Sequence, residues 1–148
     1  MIFFANESGQ AFSMILLEKA ARAVLDLSGA IDADLTIVLV DDVRIKALNK
    51  DFLGQDAPTD VIAFPADEQD PETGRRYLGD VVISLVRAAE QAGERGHAVE
   101  AEVQLLVVHG VLHLLGHDHA GAGEKAAMWA AQAEILERLG ISPEIVHE

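Results

Sequence analysis

The chain contains no cysteine. Disulfides are therefore excluded, and any metal ion must be held by nitrogen and oxygen donors. A purely structural zinc is disfavoured as well, because such sites usually take four ligands rich in cysteine. Positive charge is also scarce: 11 Lys and Arg stand against 25 Asp and Glu, giving a net charge of −14. Ordinary nucleic-acid binding rests on a broad basic face, so binding here would need a local basic patch inside an acidic molecule. Arg44, Lys50 and the Arg75-Arg76 pair are the candidates for that patch, and each reads equally well as a solvated surface charge. Long apolar runs are missing too. The most apolar stretch, Val103 to Leu115, is too short to span a bilayer and carries two histidines. Residues Met1 to Glu7 lack the basic start and long apolar core of a signal peptide. No repeat, low-complexity segment or linker interrupts the chain. These absences predict a cytoplasmic protein with no membrane association and no disulfide partner.

What is present fits one domain over residues 1–148. Half of the residues are hydrophobic, which excludes a disordered chain and suffices for a real core. Ile2 to Phe4 is a short strand candidate. Apolar residues at Ile15, Leu16, Ala20, Ala23, Val24 and Leu27 follow the helical period, and Gly29 stops that helix. Leu35 to Val40 is continuous and β-branched, so it reads as a buried strand. Asp41-Asp42 ends it and reads as the cap and first turn of a helix over Val43 to Phe52, or as a second metal site. Val61 to Phe64 and Leu78 to Ser84 are further strands, and the polar residues from Asp67 to Arg76 between them predict an exposed loop. Helices follow over Leu85 to Ala92, Val99 to Leu115 and Glu124 to Leu139. The second is apolar on nearly every face and is expected at the centre, with Glu100 and Glu102 in its first turn where negative charge suits the helix dipole. The expected fold class is α+β: a small mixed sheet of about four strands packed with helices.

Four of the six histidines fall between His109 and His119. His109 and His113 are one helical turn apart and share a face, so both rings can aim at one point. Gly116 turns the chain off the helix, after which His119 can return to the same point. Three neutral imidazoles converging in this way form the skeleton of an open catalytic zinc site. We expect one zinc per chain, held by His109, His113 and His119. Asp118 either orients a ligand ring from behind or caps the turn after Gly116. His117 reads as substrate-facing or structural. Thr59 and Asp60 precede a strand and read as turn formers or as residues lining the cleft. Asp80 interrupts an apolar strand, so burial there requires a partner.

The histidine spacing is that of the metzincin proteases, HxxxHxxGxxH, with one element missing. Those enzymes carry Glu after the first histidine as general base. Gly110 stands there instead and has no side chain to accept a proton.

Residues His109 through His119 also resemble the YbeY endoribonucleases, whose signature is HGxLHLxG, then Tyr or His, then DH. Leu48-Asn49 with Pro58-Thr59-Asp60-Val61-Ile62-Ala63-Phe64-Pro65 is similar to that family's LN…PTDVLSFP segment, and Leu78 to Ser84 to its LGDIVIS strand. The resemblance covers roughly Thr36 to Gly140. It implies a histidine helix beside a sheet, with the metal in a surface cleft. The function it implies is a zinc-dependent, single-strand-specific endoribonuclease in rRNA processing, acting in late maturation of the 16S rRNA 3′ end and in ribosome quality control. The implied partners are rRNA, the small ribosomal subunit and assembly factors. A metal ion there would acidify water and polarise a phosphoryl oxygen, so a phosphodiester can be attacked without the protease glutamate. One departure stands out: the arginine of the family's YRGKD-like stretch falls on Leu53, which cannot grip phosphate. The competing readings are a metallopeptidase, opposed by Gly110, and a ribosome-assembly factor with little catalysis, favoured by Leu53 and the acidic surface.

Overall fold

The computed structural model describes residues 1–117 and 121–142, apart from the Asp67 side chain. The elements in chain order are β1 (Ile2–Asn6), α1 (Met14–Leu27), β2 (Asp34–Val40), α2 (Asp42–Leu53), β3 (Val61–Gln69), β4 (Arg76–Ser84), α3 (Leu85–Arg95), α4 (Val99–Leu114) and α5 (Ala122–Arg138). The four strands form one mixed sheet in the order β1-β2-β4-β3. β1, β2 and β4 run parallel, and β3 closes the far edge antiparallel to β4. This is the α+β arrangement expected from the sequence.

Alternation along the strands divides the core in two. Leu35, Ile37 and Leu39 of β2 and Val81 and Ile83 of β4 face one side, where they form the main core with α1, α3, α4 and α5. Val40, Ile62 and Val82 face the other side and form a smaller cluster with Ile45 of α2, flanked by Val38, Leu48 and Phe64. The main core is thus thick and the second face thinly covered. α4 lies at the centre of the thick side, in contact with β3, β4, α1, α3 and α5. Its Val103, Val107, Val111 and Leu112 are fully buried. Each buried side chain of this size is worth about 1.5–3 kcal/mol, which outweighs the ~1 kcal/mol cost of Gly110 inside the helix.

Local signals account for the helix boundaries. Ser13 Oγ accepts from Leu16 N at 3.4 Å, Asp41 Oδ1 from Arg44 N at 2.8 Å, and Ser84 Oγ from Arg87 N at 3.2 Å, capping α1, α2 and α3. Asp41 and Asp42 therefore serve as cap and first turn. Asp42 also accepts from Ser84 Oγ and from the Arg87 guanidinium, each at 3.0 Å.

Two expectations are corrected. The buried stripe of α1 is Leu17, Ala20, Ala21, Val24 and Leu25, whereas Ile15 is 70% exposed. Ala20 and Ala21 allow the helix to approach its neighbours closely, and alanine gives only a weak apolar signal in sequence. The second correction concerns residues 67–76, where β3 continues to Gln69 and β4 already begins at Arg76. Backbone pairing of Glu68 with Tyr77 and Gln69 with Arg76 extends the hairpin despite its polar side chains. Only the turn from Asp70 to Arg75 remains, held by Asp70 N donating to Arg75 O and Gly74 N to Asp70 O, both at 2.8 Å. A register shift between Pro65 and Glu68 faces Gly79, whose φ is +135°. A Cβ at Gly79 would stand 2.1 Å from Phe64 O, so only glycine fits this bulge.

Candidate functional site

α4 delivers His109 and His113 from one face into an open cleft of about 320 Å³. Its other walls are the edge strand β3, through Val61, Ile62, Ala63 and Pro65, together with Asp60 before it and Leu53 at the end of α2. The imidazoles meet edge to face, with ring centroids 4.6 Å apart, and their Nε2 atoms are 3.1 Å apart. His109 Nδ1 donates to Gln132 Oε1 of α5 at 3.0 Å, and Gln132 is only 2% exposed. With the proton on Nδ1, the His109 Nε2 lone pair points into the cleft.

This pair suits a divalent transition ion. Two nitrogens at ~2.0–2.1 Å from zinc in a tetrahedral shell stand about 3.3 Å apart, close to the 3.1 Å observed. The donors are imidazoles, which bind a metal through a deprotonated ring nitrogen, and a buried acceptor fixes the tautomer of one of them. Among the described residues, no group of three His, Cys, Asp or Glu side chains gathers for metal binding. His119 and Asp118 lie outside the described residues.

The missing glutamate has a steric explanation. Gly110 packs directly on the sheet, and a Cβ there would stand 2.5 Å from Cγ1 of Val81, which is fully buried. A side chain at this position would enter the core rather than the cleft. The Glu-after-His arrangement of the proteases is incompatible with the helix seated as it is.

Other sequence candidates distribute differently. His117 lines a separate cavity with Leu27, Arg76, Leu115 and Ala131, away from the His109–His113 pair. Gly116, at φ +97°, makes the turn that separates them, with Gly116 N donating to His113 O and His117 N to Leu112 O, both at 3.0 Å. Asp60 lines the cleft and is also a turn former, its Oδ1 accepting from Val61 N at 2.8 Å. Thr59 donates to the same oxygen at 3.4 Å. Asp80 is half-buried and has a partner: the Tyr77 hydroxyl donates to Oδ1 at 2.5 Å. Asp80 faces the second side of the sheet, in a groove with Arg44, Phe52 and Phe64, and not the histidines.

The candidate basic patch does not assemble. None of Arg44, Lys50, Arg75 and Arg76 is among the described residues lining the histidine cleft. Arg75 is engaged by Asp34, with Nη2 2.5 Å from Oδ1. That hydrogen bond, opposed by partial burial and aided by the Met1 amino group, holds the Asp34 carboxyl at about 2. Leu53 does line the cleft, half exposed at its rim.

Sequence reasoning missed two features of the site. Gln132 gave no signal, since a lone glutamine on α5 carries no motif. Glu102 sits in the first turn of α4 as expected, but its burial, at 1% exposed with His97 Nε2 2.5 Å from its Oε1, gave no signal.

The comparisons with known proteins agree in direction. The profile of the endoribonuclease YbeY family matches residues 4–140. An endoribonuclease YbeY from Pelotomaculum thermopropionicum is 47% identical over 131 residues, covering 86% of each chain. That of Moorella thermoacetica is 43% identical over 130 residues, covering 83% of this chain and 82% of its own. A Thermotoga maritima protein solved in solution superimposes with a TM-score of 0.61 at 28% identity, covering 95% of this chain and 92% of that one.

Proposed function

Because the chain belongs to the endoribonuclease YbeY family, we propose that it hydrolyses single-stranded RNA at the His109–His113 cleft, with zinc held by His109, His113 and His119. The observation that carries this reading is the pair of Nε2 atoms 3.1 Å apart in an open cleft with Gly110, not glutamate, beside them. When bound, zinc supplies Lewis acidity, lowering the pKa of water towards ~7 and polarising a phosphoryl oxygen. His109 and His113 hold the ion, and Gln132 fixes the tautomer and orientation of His109. Val61, Ala63 and Pro65 offer carbon surface along the floor. Such a floor suits an unpaired base or sugar better than phosphate and favours a single strand over a duplex. Asp118 completes the site from behind a ligand ring in this reading. The cellular role that fits is rRNA processing in the cytoplasm, namely late maturation of the 16S rRNA 3′ end and ribosome quality control, with the small ribosomal subunit and its assembly factors as partners. Among the described residues, no helix is long and apolar enough to cross a membrane. The test offers metal-loaded protein a labelled single strand, the same sequence in a duplex, and an unstructured polypeptide. The single strand is cut and the other two survive.

Leu53 favours a second reading, an assembly factor with weak catalysis, because it places a half-exposed alkyl group where the family carries arginine. Under the ribonuclease reading, Leu53→Arg adds one phosphate contact at the rim. An exposed charge pair contributes about 0.5–1 kcal/mol, so RNA affinity rises roughly two- to fivefold. The gain shrinks as salt rises, since a phosphate contact releases counterions, and zinc content stays unchanged. Binding titrations at low and moderate salt measure this. An unchanged affinity at both would put Leu53 off the RNA path.

A further inference from the structure

We propose that Asp60 is a catalytic carboxylate of this cleft, receiving the proton of the attacking water, and that Gln91, Glu102 and His97 behind it are positioning residues. The proposal rests on the ribonuclease reading of the same cleft. A positioned proton acceptor speeds hydrolysis even where a metal acidifies the water, and Gly110 cannot be one. Asp60 is the one carboxylate among the described residues lining the cleft, which it shares with His109, Gly110 and His113. It does not join the two histidines in a three-donor cluster among the described residues, which leaves it available to a water or substrate in the cleft.

Its orientation is fixed from three sides. Oδ1 accepts from Val61 N at 2.8 Å and from the Thr59 hydroxyl at 3.4 Å, while the Asp60 carbonyl accepts from Ser84 N at 2.9 Å. Oδ2 faces the Gln91 amide. Only an amide nitrogen can face two carboxylates, so Gln91 donates to Asp60 Oδ2 at 3.3 Å and to Glu102 Oε2 at 3.2 Å. Glu102 is 1% exposed on α4, with His97 Nε2 2.5 Å from Oε1 and the Arg95 guanidinium 4.0 Å from Oε2. A polar chain thus runs through the helical layer from His97, near the surface, to the cleft. Burying a carboxylate is costly unless it is paired, and apolar residues of similar size would stabilise such an interface at least as well. A chain of this kind holds Asp60 rigidly at the site, as a productive acceptor requires.

In the reaction, the water oxygen bonds to phosphorus and the phosphorus–oxygen bond to the leaving ribose breaks. The bonding pair departs with the leaving oxygen. The proton of the water passes to Asp60 and from there to that oxygen or to solvent.

Asp60→Asn tests this, because its amide oxygen can still cap Val61 N. The expected result is a fall in kcat on single-stranded RNA of ~10²–10⁴-fold, with KM, RNA affinity, zinc content and melting temperature retained. In Asp60→Ala, added formate supplies a carboxylate and restores part of the lost rate. Gln91→Met lowers kcat roughly ten- to a hundredfold at unchanged KM through misplacement of Asp60, a split that loss of stability alone does not produce. Wild-type cleavage matched by Asp60→Asn overturns the proposal while leaving the ribonuclease reading intact. A folded Asp60→Ala protein indifferent to formate overturns it as well. Wild-type protein that leaves RNA whole sinks the ribonuclease reading, and the proposal with it.

Discussion

Replacing His113 with alanine is expected to leave a folded protein that no longer retains its zinc. The ring is half-buried at the cleft and contributes little to the core, which α4 builds from Val103, Val107, Val111 and Leu112. Its Nε2 lies 3.1 Å from that of His109, and removing it leaves one described imidazole at the site. Loss of a group that merely orients a ligand typically lowers metal affinity ~10–100-fold, and loss of the ligand itself costs more. Gln132→Leu belongs to the first kind and is expected within that range, since it removes the acceptor of His109 Nδ1. His117→Ala keeps its zinc, because His117 lines a different cavity beyond the Gly116 turn. Metal content after gel filtration and competition with a chelator measure all three. Full retention by His113→Ala contradicts the assignment, and so does zinc loss confined to His117→Ala.

The second large effect concerns Gly110. Restoring the protease glutamate with Gly110→Glu is expected to unfold the protein or lower its melting temperature by more than ~10 °C, without creating peptidase activity. The Cβ alone would stand 2.5 Å from Val81 Cγ1, and the carboxylate would be driven into an apolar core with no partner. Burial of an unpaired charge costs several kcal/mol, a large share of the ~5–15 kcal/mol stability of a typical domain. Gly110→Ala isolates the steric part. Alanine gains ~1 kcal/mol of helix propensity, while overpacking against a stiff β-branched neighbour costs ~1–3 kcal/mol. The net is a loss of up to about 2 kcal/mol, a fall in melting temperature of up to roughly 8 °C. Val81→Ala clears the space, so the two substitutions together should be at least ~1 kcal/mol less damaging than the sum of their separate effects. Strict additivity, or a Gly110→Glu protein that melts normally and cuts peptides, contradicts this picture of the helix seat.

Local chemistry made much of the fold legible. The β-branched run of β2, the Asp41 cap, the glycine after α4 and the apolar length of α4 are short-range signals, and each lies where the sequence places it. The errors arose where distant segments decide the outcome. The β3–β4 hairpin extends through Gln69 and Arg76 because backbone pairing needs no apolar side chains. Glu102 lies in the first turn of α4 as its sequence position implies, but its burial was not legible because its partners, Gln91 and His97, come from outside its helix. The site was legible in part for the same reason. His109 and His113 are neighbours on one helix and could be paired from spacing alone. Gln132 reaches His109 from α5, while Leu53 and Asp60 line the cleft from the end of α2 and the start of β3, and only the tertiary packing of these elements brings them together. The arginine candidates fared worst, since charge in sequence says nothing about which partner a guanidinium finds; Arg75 closes on Asp34 instead.

The most direct measurement compares wild-type and His109→Ala proteins, each with zinc supplied and with zinc chelated, on labelled single-stranded RNA and on an unstructured polypeptide. The account predicts RNA cleavage by the zinc-supplied wild type alone, and an intact polypeptide throughout. RNA cleavage that survives both chelation and His109→Ala, or polypeptide cleavage that disappears in His109→Ala, would contradict it.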